Sequence, residues 1–261
     1  MSETSQPGAS VAIANLSVSF DGFRAVDDVS LHMIEGQVHF LIGPNGAGKT
    51  TLVDALTGLV PATGSAMYNG NDLLTMKTNK IIRAGVGRTF QTATVFDELT
   101  VLQNLDIAGG LHRKAWRLPF ARRTTPESVD VALETIGLTG ARDKPAGILA
   151  HGQKQWLEIG MMLVQDAKVM FLDEPVAGMN ADERDETGML LRRIGDERTI
   201  IVIEHDMEFV RSYAEWVTVM HGGKLLTAGT VEHVQADKRV QEVYLGSTED
   251  AAVEGKVVAD A

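Results

Sequence analysis

The chain has 261 residues, no cysteine and a formal charge of −11, from 24 Lys and Arg against 35 Asp and Glu. That balance argues against nucleic acid as a partner, because binding there rests on cations that neutralise phosphates, and against direct adhesion to anionic lipid. The lack of cysteine excludes disulfides, thiolate metal sites and thiol nucleophiles.

Residues 1–9 are small and polar and read as a flexible tail, without the basic start and apolar run of a signal peptide. No stretch approaches about 18 uninterrupted apolar residues, so no membrane span is predicted. Val11, Ile13, Leu16, Val18 and Phe20 roughly alternate with small or polar residues, and Leu31 and Met33 follow. This pattern predicts half-buried antiparallel strands. Three short runs, 38–42, 169–172 and 200–203, are almost wholly apolar, as strands buried on both faces of a parallel sheet are. Each passes directly into polar residues, and ligands on such sheets bind beyond the carboxyl ends of the strands.

Between about 92 and 160 the texture changes. Segments 98–104, 128–136 and 154–165 have helical spacing and predict a helical subdomain inserted into the sheet domain. Within it Arg113, Lys114, Arg117, Arg122 and Arg123 alternate with Trp116 and Phe120. That segment reads either as a solvated loop or as a contact for a membrane protein or lipid headgroups. The runs 217–220 and 224–227, joined by His221-Gly222-Gly223, predict a hairpin. From about 247 the chain is acidic and rich in small residues, the composition of a disordered tail. No internal repeat is present, so a single copy of the domain is expected.

Gly43-Pro44-Asn45-Gly46-Ala47-Gly48-Lys49-Thr50 matches G-x-x-x-x-G-K-[ST]. It follows the run 38–42 and precedes a helical pattern over 51–59, the context that such a loop requires. Glycines let backbone N–H groups turn inward around phosphate oxygens, and the helix N-terminus adds partial positive charge. Lys49 is expected to reach the β- and γ-phosphates, Thr51 to follow in the same cradle, and the Thr50 hydroxyl to bind Mg²⁺. The loop alone does not separate an ABC ATPase from a GTPase, a kinase or an AAA-type motor. The run 169–172 ends in Asp173-Glu174-Pro175. Asp173 is placed to hold Mg²⁺, and a carboxylate one residue further on, Glu174, to orient and deprotonate the attacking water.

Leu149-Ala150-His151-Gly152-Gln153 lies 173 − 153 = 20 residues before Asp173 and resembles the signature of ABC ATPases. Gln91 resembles their Q-loop, Gly178-Met179-Asn180 their D-loop, His205 their switch histidine and Phe20 the aromatic that stacks on adenine. The ordered set covers nearly all of the chain. The resemblance implies an α/β P-loop NTPase of the ABC ATPase kind, with a RecA-like, mostly parallel sheet core, an N-terminal antiparallel β subdomain and an inserted helical subdomain. The expected boundaries are 10–246 for the ATPase domain, with 10–91 and 161–246 as the nucleotide-binding core, 92–160 as the helical signature subdomain, and 1–9 and 247–261 as tails.

The finer likeness is to importers of branched-chain amino acids, through residues 85–91 and 174–180. Within them, His151-Gly152-Gln153-Lys154-Gln155-Trp156-Leu157-Glu158-Ile159-Gly160 and the terminal Glu242-Val243-Tyr244-Leu245-Gly246 resemble the urea or short-chain amide branch. The expectation is thus an ATP-hydrolysing importer subunit for urea or amides, with the branched-chain amino acid importer as the alternative and a soluble, non-transport ABC ATPase as the rival of another class. The implied catalytic residues are Glu174, His205 and Gln91. The implied Mg²⁺ ligands are Thr50, Gln91 and Asp173. ATP would also meet the signature of a second ATPase subunit, like or unlike. Permease subunits and, indirectly, a solute-binding protein would complete the assembly on the cytoplasmic face of the membrane. Where the family has serine in the signature this chain has Ala150, which removes a hydroxyl. Among the remaining residues, His39, inside an apolar run, reads as a satisfied core histidine. His32, His112, His221 and His233 lack ligand spacing.

Overall fold

A computed structural model describes residues 9–89, 94–110 and 127–244. Two sheets organise the chain. The first is antiparallel, with strands β1 (Ala9–Phe20), β2 (Phe23–Ile34), β4 (Thr63–Tyr68) and β5 (Asn71–Asp72) in the order β2-β1-β4-β5. The second holds β3 (Val38–Ile42), β6 (Val86–Arg88), β7 (Val169–Asp173), β8 (Thr199–Ile203), β9 (Trp216–His221) and β10 (Lys224–Gly229), in the order β10-β9-β3-β8-β7-β6. All its pairs are parallel except β9–β10. This is the ABC ATPase fold that the sequence predicts.

The three continuous apolar runs become β3, β7 and β8, and every residue of all three strands is buried. Alternate side chains serve two cores. Leu41, Phe171, Ile201 and Ile203 pack with β1, β2, β4 and helix α1 (Lys49–Leu56). Phe40, Ile42, Met170, Leu172, Ile200 and Val202 pack with the helices of the other face. Burial of each such side chain contributes roughly 1.5–3 kcal/mol. His39 is 4 % exposed, and its Nε2 accepts the Ile34 N–H at 3.0 Å, so this histidine is a satisfied core residue. Burial lowers its pKa to about 4.

The slip from Ile13 to Leu16 in the alternating pattern is a bulge. The register of β1 on β2 shifts there, and Asn15 takes φ 51°. Asn15 donates its backbone N–H to Ser30 Oγ at 2.9 Å and its side-chain amide to Asp28 Oδ1 at 2.8 Å, which ties the bulge across the ladder. Ala9 begins β1 and is not part of the leading tail.

Helices α3 (Val101–Gly109), α4 (Glu127–Thr135) and α5 (His151–Val164) form the helical part. The segment expected as helix over 98–104 starts later. Thr100 caps α3, accepting the Gln103 N–H at 3.1 Å while the Gln103 side chain accepts the Thr100 N–H at 2.9 Å. The expected boundary between 160 and 161 falls inside α5, one continuous helix. α1 runs from Lys49 to Leu56, earlier than the 51–59 pattern, because Gly58 turns out of it at φ 73°. Among the described residues, helices α2 (Thr78–Arg83), α6 (Ala181–Gly195), α7 (Met207–Tyr213) and α8 (Val231–Ala236) complete the set. Residues 1–8, Gln91, the basic segment 113–123 and the tail 247–261 lie outside the described residues.

Candidate nucleotide site

The phosphate loop joins β3 to α1 and is braced from outside. Gly43 has φ 149°, and a Cβ there would stand 2.2 Å from the Met220 carbonyl oxygen. Gly48 has φ 97°, and a Cβ would stand 2.5 Å from the Ala25 oxygen. Both positions therefore require glycine for space as well as for torsion. The β9–β10 turn closes the brace: Gly223 donates its N–H to Ala47 O at 3.1 Å, and Asp27 donates to Gly223 O at 2.8 Å. No side chain caps α1, whereas Thr100, Asn180, Asp206 and Thr230 cap α3, α6, α7 and α8. The first N–H groups of α1 thus face a cavity of about 470 Å³ rather than a cap.

That cavity is lined by Phe20, Phe23, Ala25, Asn45–Thr51, Glu174 and Ile203. Phe20 and Phe23 are 45 % and 69 % exposed, the state expected of rings that await a flat ligand. Lys49 Nζ donates to Gly43 O at 2.6 Å and Pro44 O at 3.2 Å, so the ammonium is folded back on its own loop. Burial lowers the Lys49 pKa, and the Glu174 and Asp173 carboxylates oppose that shift. An incoming polyphosphate offers this cation stronger acceptors than two carbonyls.

Asp173 ends β7, and Glu174 follows it. Asp173 Oδ2 lies 3.4 Å from Arg88 Nη2, and Arg88 also pairs with Asp54 of α1. Burial raises the Asp173 pKa, with Arg88 the main opposing influence. The Asp173 N–H donates to Thr89 Oγ1 at 3.1 Å. Glu174 has φ 48°, a left-handed backbone uncommon for a residue with a side chain and typical of functional positions. This twist turns its carboxylate into the cavity while its N–H still donates to Ile203 O at 3.0 Å. His205 Nδ1 lies 3.3 Å from Glu174 Oε1.

The signature stands elsewhere. None of Leu149, Ala150, His151, Gly152 and Gln153 lines the cavity. Ala150 is the N-cap of α5, and His151 opens the helix. Gly152 is buried where a Cβ would meet Glu183 Oε1 at 3.3 Å and Met179 Cε at 3.4 Å, so the signature packs on the D-loop side of its own chain. Ala150 donates its N–H to Gln153 Oε1 at 3.2 Å, but it has no side-chain oxygen to accept in return.

The chemistry of the donor set suits Mg²⁺. Thr50 and Asp173 supply hard oxygen ligands, and among the described residues no group of three or more ligating side chains forms a protein-only cage. A Mg²⁺ that keeps its waters and takes phosphate oxygens needs no more than one or two protein ligands. Sequence reasoning assigned no role to Arg88, Asp54, Phe23 or Glu204. Arg88 and Glu204 lie in the same short motifs as Gln91 and His205. Their partners, 34 and 85 residues away for Arg88, carry no local signal.

These features define a P-loop ATPase. The family model described as ABC transporter matches residues 26–177. The chain belongs to that family: it is an ABC ATP-binding subunit and hydrolyses ATP. Its relatives include the high-affinity branched-chain amino acid transport ATP-binding protein BraF of Pseudomonas aeruginosa, 36 % identical over 246 residues, with 90 % of this chain and 96 % of that protein covered. The corresponding protein LivG of Salmonella typhimurium is 37 % identical over 248 residues, covering 90 % and 97 %. The ADP conformation of MJ1267, an ATP-binding cassette of an ABC transporter, superposes with a TM-score of 0.79 at 30 % identity, covering 91 % of this chain and 99 % of that one. No described helix is long and apolar enough to cross a membrane.

Proposed function

We propose that this chain is the ATPase subunit of an importer of branched-chain amino acids. The observation that carries the reading is the likeness to BraF along nearly the whole of both chains. It favours the amino acid importer over the urea or amide importer expected from residues 151–160. That stretch begins α5 and serves the signature and the helix interior, so it meets nucleotide and core rather than solute. The solute is read by permease subunits and a solute-binding protein, on which this subunit acts from the cytoplasmic face of the membrane.

ATP stacks its adenine on Phe20, with Phe23 beside it, and lays its phosphates along Gly43–Thr51. Lys49 leaves the carbonyls of Gly43 and Pro44 for the β- and γ-phosphates. Mg²⁺, where bound, would be held by Thr50, Asp173 and Gln91 and would neutralise phosphate charge. Glu174 accepts the proton of the water that attacks the γ-phosphate in line, and His205, 3.3 Å from that carboxylate, steadies both. The packing of the signature on its own D-loop side supports a head-to-tail pair. In such a pair, Leu149–Gln153 of one subunit, with the N–H groups of the α5 N-terminus, close the site of another, like or unlike. Binding favours the closed pair and hydrolysis releases it.

The deciding experiment is uptake by proteoliposomes that hold the complete complex with its binding protein. ATP-dependent accumulation of leucine, isoleucine or valine about tenfold or more above a Glu174→Gln complex is expected. Accumulation of urea or a short amide instead replaces the amino acid reading.

A further inference from the structure

Glu204 follows directly on β8, one residue before His205, and is 1 % exposed. Its Oε2 accepts the N–H groups of His205 at 3.0 Å and Asp206 at 3.3 Å, and its Oε1 accepts the Val176 N–H at 3.4 Å. These donors belong to two loops far apart in sequence. One is the turn that follows Glu174, and the other leads into α7. The Glu204 N–H donates to Leu41 O at 3.4 Å, which ties the same residue to β3, the strand that feeds the phosphate loop. Among the described residues its only ion-pair contact is His205 Nδ1 at 4.0 Å. The carboxylate of Asp206, the N-cap of α7, is engaged by Arg184 at 2.6 Å. Glu204 does not line the nucleotide cavity.

We propose that Glu204 is a positioning residue for hydrolysis, whose buried carboxylate fastens the turn behind Glu174 to the loop that carries His205. Two backbone segments that share one acceptor group cannot drift independently, so the 3.3 Å contact between Glu174 and His205 is kept at fixed geometry. Burial of an unpaired carboxylate is costly, and here three N–H groups offset that cost. A residue serving the core alone would be met more simply by an apolar side chain. The inference rests on Glu174 and His205 acting in hydrolysis as proposed above.

The test uses the assembled complex with Glu204→Gln, alone and on Glu174→Gln. A glutamine can place its carbonyl oxygen toward His205 and Asp206, but its amide then meets the Val176 N–H donor to donor, so one loop is released. Single-turnover phosphate release is expected to fall about tenfold, with KM for ATP within about twofold of the parent. On Glu174→Gln, the same change is expected to cost less than about twofold more, because both act through one geometry. A tenfold fall in both backgrounds makes Glu204 an independent structural residue and overturns the proposal, as does unchanged turnover in a folded variant. If Glu204→Gln does not fold, Glu204→Asp, which keeps the charge but is one methylene too short to span both loops, decides by the same criterion. Full turnover of Glu174→Gln by itself overturns the general-base assignment instead, which separates the two failures.

Discussion

Glu204, at the end of β8, and Glu158, in α5, are both buried carboxylates that accept backbone N–H groups from a loop, yet they are satisfied to different degrees. Glu204 uses both oxygens. Glu158 is met by the Thr94 N–H on Oε1 and by the Thr94 side chain, while among the described residues its buried Oε2 has no hydrogen-bond partner. The difference extends to their surroundings. At the carboxyl end of the parallel sheet, the phosphate loop, Asp173 and His205 are held by Met220, Ala25, Gly223, Arg88 and Glu204. In the helical part, Thr94 is tied to α5 through the Glu158 carboxylate. The backbone around the phosphate loop is thus fastened from several elements, whereas this link rests on one side chain.

The strongest way to break this comparison is at the sheet end. Glu174→Gln keeps size and backbone but cannot take a proton. Turnover is expected to fall about 100-fold or more, while the mutant retains ATP, measured as phosphate release alongside bound nucleotide. Loss of binding together with turnover would mean that Glu174 shapes the cavity rather than the reaction.

In the helical part, Glu158→Gln probes the half-satisfied carboxylate. Burial raises the Glu158 pKa above its usual value. The folded protein therefore holds that proton more tightly than the unfolded chain. The stability tied to it is full below about pH 4.5 and is lost as pH rises through the folded pKa. Glutamine still accepts from Thr94 and carries no charge. Thermal melting is expected to show the variant about 2–4 °C above the parent near pH 7.5, with the gap closing at pH 4. A gap independent of pH would show that charge at Glu158 is not what strains the site.

The smallest effect is at the head of α5. Ala150→Ser supplies the missing half of a capping box, because a serine oxygen can accept the Gln153 N–H while Gln153 continues to accept from residue 150. A gain of about 0.5–1 kcal/mol in denaturant stability is expected. No gain would mean that the Gln153 N–H already meets another acceptor.

Much of the sheet was legible because each central strand is short and apolar at almost every position, and only a strand covered on both faces tolerates that composition. The candidate site residues stand near the ends of such runs: Asp173 follows 169–172 at once, Glu174 and His205 come within two residues of a run, and Lys49 comes 49 − 42 = 7 residues after Ile42. The start of α3 was misplaced although its signal, Thr100 with Gln103, is local and readable. The tasks of Arg88 and Glu204 are not legible locally, because Asp54 and Asp173 for Arg88 and Val176 for Glu204 are brought to them by the fold. The urea expectation rests on residues 151–160 and 242–246, and the likeness to branched-chain amino acid transport proteins along nearly the whole chain outweighs them.

The turn at Gly222–Gly223 has a consequence for synthesis. The phosphate loop is complete in sequence at residue 48, but Met220 and Gly223, which hold it in shape, follow up to 223 − 48 = 175 residues later. At about 5–20 residues per second, the ribosome needs roughly 9–35 s to make that stretch. Until residue 203 is made β3 lacks both of its sheet neighbours, β8 and β9, and β9 follows only with residues 216–221. A nascent chain therefore carries the motif for ATP long before the strands that brace it.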